Sequence, residues 1–172
     1  MKNIILGGGC FWCLDPVFKM AKGVSKVVVG FAGGPEKNPS YYEVANGKTG
    51  HAEVIKITYD SNVIDLKKIL EIFFTLHDPT TLNRQGADKG TQYRSIILYD
   101  NNEDKLIANK IISDLNNAEA YPNSIVTELA ALEEFYLADE EHQDYFNKNP
   151  HQAYCQIVIA PKIEKFNKVF NN

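Results

Sequence analysis

Cysteines are the residues of this chain best able to do chemistry, and two of the three lie close together near its start. Cys10 and Cys13 flank a Phe-Trp pair in LGGGCFWCLDPVF, residues 6–18, and Cys155 lies near the other end. A Cys-x-x-Cys pair is typical of redox dithiols, of metal half-sites, and of a nucleophile with a second thiol nearby. Spacing alone leaves these alternatives open.

Cys10 is the better placed nucleophile of the pair. It follows three glycines and begins residues 10–21, where we expect a helix that breaks or bends at Pro16 unless this proline lies in the first turn. A helix N-terminus lowers a cysteine pKa from about 8.5 towards neutrality through its partial positive charge and free N–H groups. We therefore expect Cys10 to have a lowered pKa and to react as a thiolate.

A zinc site is the chief alternative to a nucleophile. His51-Ala-Glu53 resembles the His-x-Glu element of zinc deaminases, whose second element is a Cys-x-x-Cys pair. The order of the two elements is reversed here, and no proline precedes Cys10. A site formed by the three cysteines and one histidine is chemically possible, but the aromatic spacer and the lack of a second close pair of ligands count against it.

The glycines do not indicate a dinucleotide site. Gly7-x-Gly9 begins like the phosphate-binding turn, but Trp12 stands where the third glycine is required.

Glu53 is the candidate for proton transfer. Residues 53–60, EVIKITYD, alternate as a half-buried strand does, which puts Glu53 on the same face as Ile57 and Tyr59. On the core side of a strand, burial raises the pKa of a carboxyl, so that it can donate a proton at neutral pH. An exposed glutamate at the strand end is an equally weighted alternative.

Phe11 and Trp12 allow two interpretations. Aromatic residues at the start of a helix usually belong to the core. Beside a thiolate, they can also form an apolar pocket for a small group next to the reacting atom, such as a methyl on sulfur.

Local patterns predict the elements that must position these residues. We expect strands at residues 4–6, 25–34, 53–60, 92–100 and 124–132. We expect helices at 10–21, 65–76 and 140–148, and one capped by Asn101 or Asn102 whose buried stripe is Ile107, Ile111 and Leu115. Residues 78–90 read as a long loop, and 149–162 as an irregular segment that holds Cys155. This order predicts an α/β (α+β) fold, a two-layer sandwich of helices packed on a mixed sheet.

Composition bounds the class of protein. A chain of 172 residues with 44% hydrophobic residues predicts one globular domain, and a net charge of -4 without a basic block argues against nucleic acid as a partner. The apolar run at residues 4–6 is too short for a secretory segment, and no run is long enough for a membrane span. An odd number of cysteines points to thiol chemistry in a reducing compartment, so we expect the cytoplasm.

Several long blocks resemble the A-type peptide methionine sulfoxide reductase family, in order and in spacing, over most of the chain. They are GGGCFWC, NPSYYEV, TGHAEV, HDPTTLNRQGADKGTQYRS and EEHQDYFNKNPHQAYC. The resemblance implies one domain over residues 1–172 with a ferredoxin-like core. It implies reduction of the S epimer of methionine sulfoxide, in oxidised proteins or free, back to methionine.

The resemblance also implies roles for individual residues. Cys10 matches the nucleophile, and Glu53 matches the acid that protonates the sulfoxide oxygen. The pocket for the substrate methyl matches Phe11 and Trp12, the hydroxyls that bind the oxygen match Tyr41 and Tyr93, and a residue that organises the site matches Asp88.

A second thiol must then resolve the sulfenic acid on Cys10. Cys155 matches a resolving position on a mobile C-terminal segment and is favoured as the first resolver, while Cys13, where many members have glycine, can resolve directly, relay a disulfide or stay silent. Ala45 stands where some members have a further cysteine. The resemblance implies no bound cofactor, a monomer, and thioredoxin as the reductant, which dithiothreitol replaces in vitro.

Two points stay open. A general dithiol oxidoreductase that uses Cys10 and Cys13 as thioredoxin does would exchange disulfides without any sulfoxide. His51, His142 and His151 lie in or near these blocks, but for each a structural hydrogen bond is favoured over a chemical role, so none is predicted to be catalytic.

Overall fold

The computed structural model describes residues 1–170 and contains two sheets. In chain order the strands are β1 (Lys2–Gly7), β2 (Val24–Ala32), β3 (Ala52–Tyr59), β4 (Arg84–Gln85), β5 (Asp88–Lys89), β6 (Ile96–Tyr99), β7 (Glu128–Ala131) and β8 (Phe135–Leu137). β4 and β5 form a small hairpin, and the other six strands form one sheet in the order β7-β6-β1-β3-β2-β8.

The helices lie between and after these strands. They are α1 (Phe11–Lys19), α2 (Tyr41–Ala45), α3 (Leu66–Leu76), α4 (Asn102–Asn117), α5 (Tyr145–Lys148) and α6 (Ala160–Phe170). Single 3-10 turns lie at Thr91–Tyr93 and Glu140–His142, and a π-helical turn, Cys155–Ile159, leads into α6. No helix within residues 1–170 is long and apolar enough to cross a bilayer.

Short polar side chains fix where three of the helices begin. Ser40 and Glu43 form a reciprocal capping box at α2. Asp65 accepts the N–H of Lys68 at 2.9 Å at the start of α3, and Asn101 caps α4. These caps satisfy N–H groups that have no partner inside the helix.

β1 and β3 form the centre of the main sheet. β1 pairs antiparallel with β3, opposing Ile4 to Ile57, and antiparallel with β6, opposing Leu6 to Ile97. β6 and β7 run parallel, so the sheet is mixed. The predicted α/β class, with helices packed on a mixed sheet, is confirmed, whereas the ferredoxin-like description of the core stays a prediction.

The core lies on both faces of this sheet. On one face α1 and α3 bury Phe11, Phe18 and Phe73 against it. On the other face a smaller cluster around Val54 and Leu98 is covered by the segment that follows β7. Burying each large apolar side chain stabilises the fold by roughly 1.5–3 kcal/mol, so the sheet is a firm base for residues that it carries.

The structure corrects several boundaries. The strand predicted at 53–60 is buried on both faces rather than half-buried, because it is central and covered from both sides. Residues 149–162 are not irregular, since most of them form the π-helical turn and α6. Pro16 lies inside α1, which continues to Lys19. The loop at 78–90 contains the β4–β5 hairpin, and the strand predicted at 92–100 begins only at Ile96.

Candidate active site

Cys10 lies where β1 turns into α1. Gly9 has a φ of +91°, which L side chains rarely adopt, and a Cβ on Gly7 would lie 2.8 Å from the carbonyl oxygen of Glu53. The glycines therefore let the chain turn sharply while it stays against β3. As a result Cys10 becomes the residue that precedes the first turn of α1, with 7% of its surface exposed.

Glu53 projects from β3 towards this turn. It is 1% exposed, and its Oε1 accepts the backbone N–H of Phe11 at 3.1 Å. Burial raises the pKa of Glu53 to about 8, although the hydrogen bonds from the Phe11 N–H and the Cys10 thiol oppose this shift. At neutral pH the carboxyl is mostly protonated, so it can act as an acid beside the thiol.

The pKa predicted for Cys10 is wrong in its direction. Burial raises the pKa of the Cys10 thiol well above its ordinary value, and the hydrogen bond with Cys13 and the charge of Glu53 raise it further. The backbone N–H of Trp12, at the helix N-terminus, lowers it as expected but has the smaller effect. Cys10 therefore rests as a thiol and must lose its proton during the reaction.

Tyr41 and Tyr93 lie close enough to Cys10 and Glu53 for the charges of these two groups to affect the pKa values of the phenols. Tyr41 begins α2, and Tyr93 ends the 3-10 turn, where its carbonyl accepts the N–H of Gly9 at 3.2 Å. Burial raises the pKa of both phenols, and the negative charges of Glu53 and Cys10 raise it further. Both hydroxyls stay protonated and remain available as hydrogen-bond donors.

An aromatic cluster lies beside Cys10. Phe11 is fully buried, with its ring centroid 5.5 Å from that of Phe31 and 6.3 Å from that of Tyr41. Trp12 stacks on Tyr145 with centroids 3.7 Å apart and donates its indole N–H to His142 Nδ1 at 3.3 Å. Phe11 is therefore a core residue and Trp12 is half-buried, while their role as a pocket for a methyl group stays a prediction.

Cys13 lies in a different hydrogen-bond network. Its Sγ is 3.3 Å from the hydroxyl of Tyr154, which donates to Asp88 Oδ2 at 2.7 Å. The hydrogen bond with Cys10 lowers the pKa of Cys13, as do the hydrogen bond with Tyr154 and the charge of Lys162, while burial opposes them. The two thiols thus shift in opposite directions, and Cys13 is the more acidic.

A cavity of about 230 Å³ opens onto both thiols. Its walls come from the glycine turn, the start of α1, the β4–β5 hairpin and the C-terminal helical segment. The lining residues are Gly8, Gly9, Cys10, Cys13, Gln85, Gly86, Ala87, Asp88, Tyr154, Val158 and Lys162. A larger depression of about 680 Å³ near Tyr121 has a single carboxyl, Glu119, and no thiol or imidazole among its lining residues, so we place the site at Cys10.

Cys155 begins the π-helical turn and is fully buried. Burial raises its pKa, and the charge of Cys13 raises it further. All three cysteines are free thiols. Cys155 is therefore close enough to Cys13 for their charges to interact, but it is packed away from solvent.

Comparisons with known proteins decide the family. A sequence profile of the family described as peptide methionine sulfoxide reductase matches residues 2–172. The chain is 53% identical over 170 residues to a peptide methionine sulfoxide reductase of Trichodesmium erythraeum, and the match spans 99% of this chain and 96% of that one. The chain belongs to the peptide methionine sulfoxide reductase family.

Solved structures agree with this membership. The reduced form of Mxr1 from Saccharomyces cerevisiae has a TM-score of 0.83 and 37% identity, covering 90% of this chain and 88% of that one. Mxr1 in complex with Trx2, from the same organism, has a TM-score of 0.59 and 26% identity, and the match covers 84% of each chain.

The structure of this family member gathers most of the residues singled out from the sequence. Cys10, Glu53, Tyr41 and Tyr93 lie together, with Phe11 and Trp12 alongside. Cys13 and Asp88 share the second network through Tyr154, and Cys155, next to Tyr154 in the chain, is buried at the start of the π-helical turn.

Three contributors were missed in the sequence, Tyr154, Lys162 and Tyr145, whereas the structural hydrogen bond predicted for His142 is present. Tyr145 and Tyr154 lie in the EEHQDYFNKNPHQAYC block, so their position pointed to the site although their chemistry did not. Lys162 follows that block and had no signal at all.

The remaining alternatives find little support in this reductase. Within residues 1–170, no group of three or more His, Cys, Asp or Glu side chains is arranged to hold a metal ion. His51 Nδ1 accepts the N–H of Gly34 at 3.0 Å, and its Nε2 lies 2.6 Å from the carbonyl oxygen of Glu36. The structural hydrogen bonds predicted for His51 are therefore present.

Proposed function

We propose that this protein reduces the S epimer of methionine sulfoxide to methionine, free or in oxidised proteins, with Cys10 as nucleophile and thioredoxin as final reductant. The observation that carries the proposal is the buried Glu53 carboxyl, whose pKa is raised to about 8 and which is hydrogen-bonded beside Cys10. A sulfoxide sulfur is a poor electrophile until its oxygen accepts a proton or strong hydrogen bonds, and this arrangement supplies both.

The first step transfers the oxygen from substrate to enzyme. Glu53 protonates the sulfoxide oxygen while the hydroxyls of Tyr41 and Tyr93 donate hydrogen bonds to it, and the Cys10 sulfur attacks the substrate sulfur. The oxygen ends on Cys10 as a sulfenic acid, methionine leaves, and the thiol proton of Cys10 returns to Glu53. The thiol is oxidised and the sulfoxide is reduced. These donors stabilise the transition state more than the bound substrate.

The methyl group of the substrate would lie in the aromatic cluster. Phe11 and Trp12 adjoin Cys10, and the Trp12 ring is oriented by its hydrogen bond with His142 and its stacking on Tyr145. A rigid apolar wall fixes which face of the chiral sulfur meets Cys10, which accounts for selection of one epimer.

The second step closes a disulfide. We propose that Cys13 attacks the Cys10 sulfenic acid first and that Cys155 then exchanges with Cys13. Support comes from the one cavity that both Cys10 and Cys13 line, the lowered pKa of Cys13, and the effect of the Cys13 charge on the pKa of Cys155. Asp88 would organise this network by accepting the Tyr154 hydroxyl. This order replaces the one favoured from the sequence, in which Cys155 acts first.

Thioredoxin then reduces the last disulfide, without a bound cofactor. Mxr1 of Saccharomyces cerevisiae, a relative of the same fold, has been captured in complex with Trx2. Dithiothreitol can replace thioredoxin in vitro. Three free thiols fit a reducing compartment, so the cytoplasm is the proposed location. We also propose that residues 1–172 act as one domain and as a monomer, because one chain supplies every residue used above.

Incubation with each epimer of methionine sulfoxide and dithiothreitol tests the proposed activity. We expect methionine from the S epimer and little from the R epimer, and none from either with Cys10→Ser. Full activity of Cys10→Ser, or no methionine from the wild-type protein, would contradict the proposed activity.

Mass spectrometry after one turnover without reductant tests the order of the thiols. We expect a Cys10–Cys13 disulfide in Cys155→Ser at the wild-type rate of closure. A Cys13→Ser variant that closes a Cys10–Cys155 bond just as fast would reverse the proposed order.

A further inference from the structure

Lys162 is a cation held against the thiol network without a role in the reaction described so far. It lies in the first turn of α6 and lines the same cavity as Cys10 and Cys13. Its ammonium donates to the carbonyl oxygen of Leu76, the last residue of α3, at 2.9 Å. This hydrogen bond fixes the position of the charge at the cavity wall.

A second lysine on the same helix provides a comparison. Lys165 donates to the neighbouring carbonyl of Thr75 at 2.8 Å, so both lysines attach α6 to the end of α3 in the same way. Lys165 is exposed and is not part of the cavity wall near the thiols, whereas Lys162 is partly buried. The two side chains therefore differ in their distance from sulfur rather than in their structural hydrogen bond.

The negative charges around Cys13 oppose ionisation of its thiol, so a nearby cation affects how much thiolate forms. On the side of α1 and β3, a Cys10 thiolate and the Glu53 carboxylate disfavour a second negative charge. Asp88 of the hairpin does the same, and so does a thiolate at Cys155. The Tyr154 hydroxyl and the Lys162 ammonium act in the other direction. Cys13 can attack only as a thiolate, so this opposition is decisive for its reactivity.

We propose that Lys162 is a positioning residue that acts through Cys13, stabilising its thiolate while it attacks the Cys10 sulfenic acid. The proposal rests on the proposed function, because that reaction supplies the sulfenic acid. In this step the Cys10–Cys13 sulfur–sulfur bond forms and the sulfur–oxygen bond of Cys10 breaks. The oxygen leaves as hydroxide and takes up the proton that the Cys13 thiol lost, giving water. Cys13 is oxidised and the Cys10 sulfur is reduced, so no further reactant is needed.

The expected effect follows from how thiol exchange depends on acidity. Removing the charge should lower the fraction of Cys13 that is thiolate at neutral pH, and for each tenfold loss the more basic thiolate that remains is about threefold more nucleophilic. Closure at neutral pH should therefore slow by about threefold for each tenfold loss. At high pH, where the thiol is ionised in either protein, the variant should close as fast as the wild type or faster.

The experiment compares Lys162→Gln, Lys162→Arg and Lys165→Gln, each in Cys155→Ser so that only Cys10 and Cys13 can join. After one addition of S-methionine sulfoxide without reductant, samples are quenched with an alkylating agent between pH 5.5 and 9.5. Mass spectrometry measures disulfide closure and methionine in the same samples. We expect Lys162→Gln to shift the closure profile to higher pH, Lys162→Arg to restore it, and Lys165→Gln to match the parent.

The outcomes separate this proposal from the proposed function. If the parent forms no methionine, the proposed function fails. If methionine forms and the Lys162→Gln profile coincides with that of the parent, or is slower by one factor at every pH, the role of Lys162 is overturned and the function stands.

Alkylation of Cys13 by iodoacetamide, in Cys10→Ser with Cys155→Ser, tests the same charge without any turnover. An unshifted pH profile for Lys162→Gln in that measurement would also overturn the role of Lys162.

Discussion

Cys10 stands between two regions that differ in construction. Glu53 is held by β3, a central strand paired on both sides, and Phe11 is held by the start of α1 against the same sheet. Cys13, in contrast, contacts Tyr154 from the C-terminal helical segment and, through it, Asp88 from the two-stranded hairpin. We call these regions the sulfoxide side and the thiol side.

The two sides also differ in what controls their pKa values. On the sulfoxide side burial dominates and raises the pKa of Glu53 and of Cys10, which keeps both groups neutral. On the thiol side hydrogen bonds outweigh burial and lower the pKa of Cys13. An acid catalyst needs to hold its proton until the substrate arrives, whereas a resolving thiol needs to lose its proton. The start of α1 thus adjoins both a carboxyl that keeps its proton, Glu53, and a thiol that loses its proton more easily, Cys13.

Glu53→Gln should have the largest effect on the sulfoxide side. The amide oxygen can still accept the Phe11 N–H, but the side chain can no longer act as an acid. General acid catalysis contributes about 10²- to 10⁴-fold, so methionine formation in a single turnover should fall by that factor with little change in substrate affinity. Glu71→Gln, on the exposed face of α3, is the matched control. An unchanged single-turnover rate would refute the acid assignment.

Tyr93→Phe and Tyr41→Phe should each have a smaller effect on the same side. Each removes one donor to the developing negative charge on oxygen, which is worth about 1.5–3 kcal/mol, or roughly 10- to 100-fold in rate. Single-turnover methionine formation measures it. Tyr42→Phe is the control for Tyr41→Phe, because Tyr42 lies on the same helix and is 75% exposed. If both single variants keep the wild-type rate, the hydroxyls do not bind the oxygen.

Tyr154→Phe should affect only the thiol side. It removes the hydrogen bond to Cys13 while it keeps the ring, and a bond of about 0.5–1.5 kcal/mol corresponds to roughly two- to tenfold slower disulfide closure. Methionine formed in the first turnover should not change. Tyr121→Phe is the control, because the Tyr121 hydroxyl donates to the carbonyl oxygen of Phe74 and Tyr121 does not line the cavity at the thiols. Slower methionine formation in Tyr154→Phe would mean that the two sides are not separable.

A separate effect is expected on stability, outside the reaction. The pKa of Glu53 is about 8 in the folded chain and about 4.3 when unfolded. A raised pKa stabilises the fold fully below the unfolded value, and this contribution is lost as pH rises towards 8. Glu53→Gln lacks that loss, so its Tm should exceed that of the wild type by roughly 10–20 °C at pH 8.5, and the difference should shrink near pH 4.5. Thermal unfolding of both proteins between pH 4.5 and pH 8.5 measures the difference in Tm. A difference that stayed constant across this range would contradict the prediction.

Local patterns were sufficient to predict α3 and the strand that holds Glu53. The helical spacing of Ile69 and Phe73 predicted α3, because a 3.6-residue period can be recognised in a short window. The strand that holds Glu53 was equally legible. Its burial on both faces was not, since that depends on segments distant in the chain.

The C-terminal half of the thiol side was missed although one signal was present. Ile159, Ile163 and Phe166 recur at helical spacing, and Pro161 is tolerated because it lies in the first turn of α6. β8 could not have been recognised, since three residues carry little periodicity.

Proximity across the chain explains the remaining differences. Lys162 is separated from Cys13 by almost the whole sequence, so no spacing rule connects them. The wrong direction for the pKa of Cys10 has a similar origin, because the helix N-terminus is a local feature whereas burial and Glu53 are not.

Trp12 gives this protein an internal optical probe. It is the one tryptophan of the chain, and it stacks on Tyr145 and donates to His142 beside the nucleophile. Indole emission depends on ring contacts and on the partner of its N–H, so all tryptophan fluorescence of the protein comes from the pocket in which the sulfoxide methyl would lie. Occupancy of that pocket can thus be followed in unlabelled protein, apart from the thiol chemistry on the other side of Cys10.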